Sequence, residues 1–72
     1  MLAVFKMTDG RNTAINPENV TECFGGKSTT RISFVNGAYT DVESPFDETV
    51  KKLNEASMAN GISALLDAIK NR

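Results

Sequence analysis

The chain has 72 residues and a mass of 7.8 kDa, with eight Lys plus Arg against nine Asp plus Glu, no histidine and one cysteine. Neither sign of charge is gathered into a block, which excludes the clustered basic face that duplex nucleic acid requires. The lone Cys23 excludes an intrachain disulfide, the missing histidines remove the commonest metal ligand, and no apolar run approaches the roughly 20 residues that span a bilayer.

Leu2 to Met7 is apolar apart from Lys6, and Asp9-Gly10 between Thr8 and Arg11 fits a two-residue turn, so a first hairpin is expected to pair Leu2 to Thr8 with Arg11 to Ile15. Asn16-Pro17-Glu18-Asn19 fits a type I turn, with proline pre-setting φ at the second position. Val20 to Phe24 follows as a strand, then Gly25-Gly26-Lys27-Ser28 as a flexible connection. Thr29 to Val35 and Ala38 to Glu43 form a second hairpin about Asn36-Gly37, the strongest such signal in the chain, because both residues tolerate the positive φ of a type I′ turn. Five short strands joined by tight turns imply a five-stranded antiparallel β-meander.

Ser44-Pro45-Phe46-Asp47 starts a helix, with Ser44 as N-cap, Pro45 where no N–H is needed and Asp47 placed to reach back. The fold class is therefore α+β in one domain, a sheet over residues 1–43 and a helical segment over 44–72. Phe46, Val50, Leu53 and Ser57 make one stripe suited to the sheet. Met58, Ile62, Leu65, Leu66 and Ile69 make a second, rotated from the first by roughly 140° at about 100° per residue. Either the helix breaks at Asn60-Gly61 and folds back, or it continues and presents the second stripe to another protomer.

Chains of this size bury only about 60% of their unfolded surface. Without a disulfide or a metal, self-association is the remaining route to stability, and the second helical stripe is the expected oligomer interface. With two-residue turns, Ala3, Phe5, Met7 and Ala14 would share one face, and Val4, Lys6, Thr13 and Ile15 the other. Ile32, Phe34 and Tyr39 would likewise lie opposite Val35, Ala38 and Val42. Apolar groups on both faces ask for a cover on each, and one helix supplies only one.

Little in the chain calls for catalysis. Gly25-Gly26-Lys27-Ser28 ends like a phosphate loop, but Thr21 stands where the first glycine belongs and no helix follows. Its amides together with Lys27 could still hold a phosphate without hydrolysing it. Cys23 has no histidine to activate it and reads as a structural thiol. Asp9 is explained by its turn, Asp47 by its cap and Glu48 by the helix dipole, so no acid pair is left over. No catalytic residue, metal site or cofactor is expected. Lys6, Arg11, Lys27, Arg31 and Tyr39 are the candidate ligand-binding set, four cations and a tyrosine able to face an anionic, nucleotide-like molecule between protomers. The alternative for them is solvated edge charge that discourages sheet-to-sheet aggregation.

Asp9-Gly10, Ile15-Asn16-Pro17, Val20, Thr30 and Ile32, Asn36-Gly37, and Val42-Glu43-Ser44 before a helix together resemble the FlbD-like proteins, short bacterial chains linked with flagellar or swarming motility. The resemblance covers roughly residues 1 to 55. It implies a compact, non-catalytic sheet-plus-helix protein with no active-site residues to carry over, and similar short frames also suit phage genomes. The expected function is a non-enzymatic homo-oligomer that binds or sequesters a partner protein or a small anionic ligand as a phage or bacterial accessory regulator. The alternative is a flagellar or swarming accessory protein acting by docking. A single thiol and the lack of a secretory signal favour the cytosol of a bacterium or of a phage-infected host as the expected location of either.

Overall fold

A computed structural model describes the backbone of residues 1–70 and the side chains of residues 1–59. Its strands are β1 (Ala3–Lys6), β2 (Asn12–Ile15), β3 (Val20–Gly25), β4 (Thr30–Phe34) and β5 (Tyr39–Val42), followed by one helix, α1 (Phe46–Lys70). The α+β class and the five strands agree with the residue pattern. The single meander does not: the strands divide into two antiparallel sheets, β1-β2 and β3-β4-β5.

The division is made at Asn16–Asn19. The turn expected there closes as a 3-10 turn, Pro17–Asn19, with Asn16 Oδ1 accepting the Glu18 N–H at 3.1 Å. The Asn19 N–H turns back to the Asn16 carbonyl and the Val20 N–H to that of Pro17, while Pro17 has no N–H to lend to a ladder, so β3 is not laid beside β2. The sheets meet instead where β1 ends and β5 ends. Met7 bridges Val42, the Glu43 N–H donates to the Lys6 carbonyl at 2.7 Å, and the Thr8 N–H donates to that of Asp41 at 3.2 Å.

Both hairpins close with three-residue loops in place of the expected two-residue turns. The Gly10 N–H donates to the Met7 carbonyl at 3.0 Å and the Met7 N–H to that of Arg11 at 2.6 Å. The second loop repeats the pattern, Gly37 to Phe34 at 3.0 Å and Phe34 to Ala38 at 2.9 Å. Among the described residues positive φ is confined to Gly10 (+92°) and Gly37 (+86°), so Asp9 and Asn36 do not adopt the type I′ conformation. Their side chains accept the N–H of Arg11 and of Ala38 instead, each at 3.0 Å. Gly37→Ala would hold an L-residue at that φ, at a cost of about 1–2 kcal/mol. It is expected to lower Tm by about 4–8 °C per kcal/mol in thermal melts followed by circular dichroism.

One extra loop residue slips each register by one and turns every following side chain to the other face. Ala3 pairs with Ile15 and Thr30 with Val42. The expected face assignments are corrected accordingly: Ile15 joins Ala3 and Phe5, Val42 joins Ile32, and Tyr39 turns outward. The physical reason lies in burial. The two-residue register would set Asp41 opposite Ile32 on the inner face and expel Val42, whereas the observed one buries Val42 and leaves Asp41 outside beside Arg31. The core is Ala3, Phe5, Ile15, Ile32, Val42, Leu53 and Ala56. With that register the outward strand positions still carry exposed apolar side chains, Val4, Phe24 and Tyr39.

The helix is anchored at its start by the β3–β4 loop rather than by Ser44. The Phe46 N–H donates to the Gly26 carbonyl at 3.0 Å, the Ser44 carbonyl receives the Thr30 hydroxyl at 2.8 Å, and the Pro45 carbonyl takes the Thr49 N–H at 3.0 Å. Asp47 and Glu48 occupy the first turn, where the helix dipole favours them. Held in this way, α1 buries Thr49, Leu53 and Ala56. Of the expected stripe only Leu53 is buried; Phe46 and Ser57 are exposed and Val50 is half-buried. The backbone runs as one helix across Asn60-Gly61, with no break and no fold-back. Met58 is 65% exposed, and the side chains of Ile62, Leu65, Leu66 and Ile69 lie outside the described residues.

Candidate functional site

The expected ligand-binding set is spread over the outer surface, and four of its five members are already engaged. Arg31 and Asp41 face each other across β4 and β5, joined at 2.8 Å (Nε to Oδ1) and 3.1 Å (Nη2 to Oδ2), and the guanidinium lies 4.1 Å from the Tyr39 ring centroid. Arg11 is paired with Asp9 of its own turn at 2.7 Å, and Lys6 Nζ is 4.0 Å from Glu43. Lys27, on the β3–β4 loop, makes no ion pair among the described residues. Of the five, only Arg31 and Tyr39 touch.

The side-chain hydrogen bonds from Arg31 and Arg11 hold the Asp41 and Asp9 carboxyls below their ordinary values. Any stability these pairs give is present above the unfolded carboxyl pKa of about 3.9 and is lost as pH falls through the lowered folded values. The Asp9–Arg11 pair is exposed and the Asp41–Arg31 pair only half-buried, so that contribution is small.

The glycine loop has a structural part in the fold. The Gly26 N–H donates to the Thr29 carbonyl at 3.1 Å, and its carbonyl caps α1. A Cβ at Gly25 would collide with the Thr29 carbonyl oxygen and stand 2.6 Å from Thr30 Cα, which explains that glycine without any ligand. Cys23 is half-buried in a groove between the 3-10 turn and α1, beside Pro17, Val20 and Leu53. Burial, and then the charge of Glu22, push its thiol pKa up, away from nucleophilic reactivity.

A different site appears at the open end between the two sheets. Thr13 sits opposite Phe5 and Thr40 opposite Ile32, both at inward positions where apolar residues would extend the core. Together with Ile15, Phe34, Asn16 and Asn36 they line a cavity of about 340 Å³ that no charged side chain enters. Thr40 Oγ1 is buried without a hydrogen-bond partner. Such a hydroxyl costs about 1–3 kcal/mol. Asn16 Oδ1 is taken by the Glu18 N–H and Asn36 Oδ1 by the Ala38 N–H, so both amides keep their NH₂ groups as the groups on offer. These positions do not stand out in the sequence because two-residue turns place Thr13 beside Lys6 rather than beside Phe5; the signal was the threonine opposite Phe5 and the one opposite Ile32 in the true register.

Among the described residues no three His, Cys, Asp or Glu side chains are grouped to hold a metal ion, and no helix is long and apolar enough to cross a membrane. Comparison of the chain with family models, with curated proteins and with solved structures gives no match in any of the three.

Proposed function

We propose that the chain is a small, non-enzymatic cytosolic protein that works by association, a homo-oligomer joined through the second stripe of α1 and acting on a partner protein as a phage or bacterial accessory regulator. The observation that carries this reading is the exposure of Met58, 65%, on a helix that continues without a break. At about 100° per residue, positions 58, 62, 65, 66 and 69 fall roughly 160° from the face of Thr49, Leu53 and Ala56 that rests on the sheets. An uninterrupted helix therefore cannot turn both faces to its own core. A second copy, carrying the same stripe, is a self-complementary cover in the manner of isologous dimers.

An anionic ligand has less support, since Lys6, Arg11 and Arg31 each already hold a carboxylate. The resemblance to FlbD-like proteins over residues 1 to 55 favours a second reading, a motility accessory protein that docks as a monomer on a larger assembly. Native mass spectrometry of the full chain separates the two. A defined oligomer is expected, and Leu65→Asp is expected to raise its dissociation constant by at least about tenfold with the circular dichroism spectrum unchanged. A monomer at every concentration would remove the oligomer and leave docking.

A further inference from the structure

We infer that the open end between the sheets is a binding site for an uncharged, planar heterocycle bearing carbonyl groups, of the pyrimidine-nucleoside kind. The inference is independent of helix-mediated association. Its first support is the choice of residues: Thr13 and Thr40 take inward strand positions next to Phe5 and Ile32, where valine would fill the same space without a hydroxyl to satisfy. Thr40 Oγ1 is the one buried side-chain polar atom without a partner among the described residues, and Thr40 is one of the residues that line this cavity.

The composition of the lining selects the ligand. Ile15 and Phe34 supply apolar surface for a flat ring. The amide groups of Asn16 and Asn36 have their oxygens committed to the backbone, leaving donors, the threonine hydroxyls can donate as well, and the Asn19 amide adds a further donor and an acceptor suited to a ring N–H. A rim rich in donors suits the two carbonyl oxygens of a uracil-like ring better than the amino-bearing edge of adenine. No lining side chain is charged, so a phosphate gains nothing there. The volume, about 340 Å³, sits at the small end of ligand pockets.

Titration of the full-length, isotope-labelled protein with uridine, followed by amide NMR, tests this. Saturable shifts at Thr13 and Thr40 and in the side-chain amides of Asn16 and Asn36 are expected, with uridine monophosphate binding no more tightly than uridine. Thr40→Val is expected to keep or raise Tm, because it removes an unpartnered hydroxyl, while weakening uridine by about tenfold. Thr13→Val serves as the second variant if Thr40→Val fails to fold, with the same loss expected. Absence of saturable shifts, shifts centred on Arg31 and Tyr39, equal shifts with glucose, or a tenfold gain on adding the phosphate would each overturn the assignment. Because the readout is local to this end of the sheets, it succeeds or fails whether the chain is a monomer or an oligomer.

Discussion

Ile32→Ala is expected to lower Tm by at least about 10 °C and to leave the chain close to its folding threshold. Ile32 is 0% exposed on the middle strand of the larger sheet, facing Cys23 on β3 and Thr40 on β5, and it belongs to the cluster that joins both sheets to α1. Removing an isoleucine to alanine in such a place costs about 2–5 kcal/mol, because the lost transfer energy is joined by that of a cavity the neighbours cannot fill. A chain of this length has roughly 4–11 kcal/mol in all, at the usual 0.05–0.15 kcal/mol per residue. Ile32→Val, which keeps most of the volume, is expected to cost only about 0.5–1.5 kcal/mol. Urea titrations of the two variants compare them directly, and equal midpoints would contradict the central position given to Ile32.

Gly25→Ala is expected to destabilise by roughly 2–3 kcal/mol, at the upper end for an inserted methyl group in a tight place. The atoms in its way, the Thr29 carbonyl oxygen and Thr30 Cα, belong to the backbone and cannot swing aside. Relief requires β3 and β4 to separate at their shared end. That separation loosens the Gly26-to-Thr29 hydrogen bond, the Gly26 carbonyl that caps Phe46, and the Thr30 hydroxyl on the Ser44 carbonyl. Hydrogen exchange should therefore quicken at Gly26 and Phe46 well before it does at Phe5. Gly26→Ala is the control, since a Cβ there meets nothing within 4 Å, and it is expected to shift stability by less than about 1 kcal/mol. Equal behaviour of the two alanine variants would refute the steric account of the loop.

The comparison of these two glycines shows how much of the chain was legible residue by residue. Gly25 and Gly26 look alike in the sequence, and only the approach of Thr29 and Thr30 distinguishes them. The same holds for the candidate site. Lys6, Arg11 and Arg31 stand out in a sequence because they are charged. The fold pairs each with a nearby carboxylate, while the less conspicuous Thr13 and Thr40 converge on a cavity.

What the residues determined alone is local in origin. Gly10 and Gly37 mark the turns because each takes a positive φ that other residues resist, Asn16-Pro17 closes a turn because proline's φ is already set, and the acidic first turn after Pro45 favours a helix. Strand and helix segments therefore emerge in the right order, to within a residue or two. Register, sheet division and the buried face of α1 were decided only in the tertiary structure. An Asp-Gly or Asn-Gly pair is compatible with loops of two or three residues, which differ little locally but invert which side chains face inward. The choice was made by burying Ile15 and Val42 and keeping Asp41 in water, a difference that exists only once the sheets and the helix are packed together.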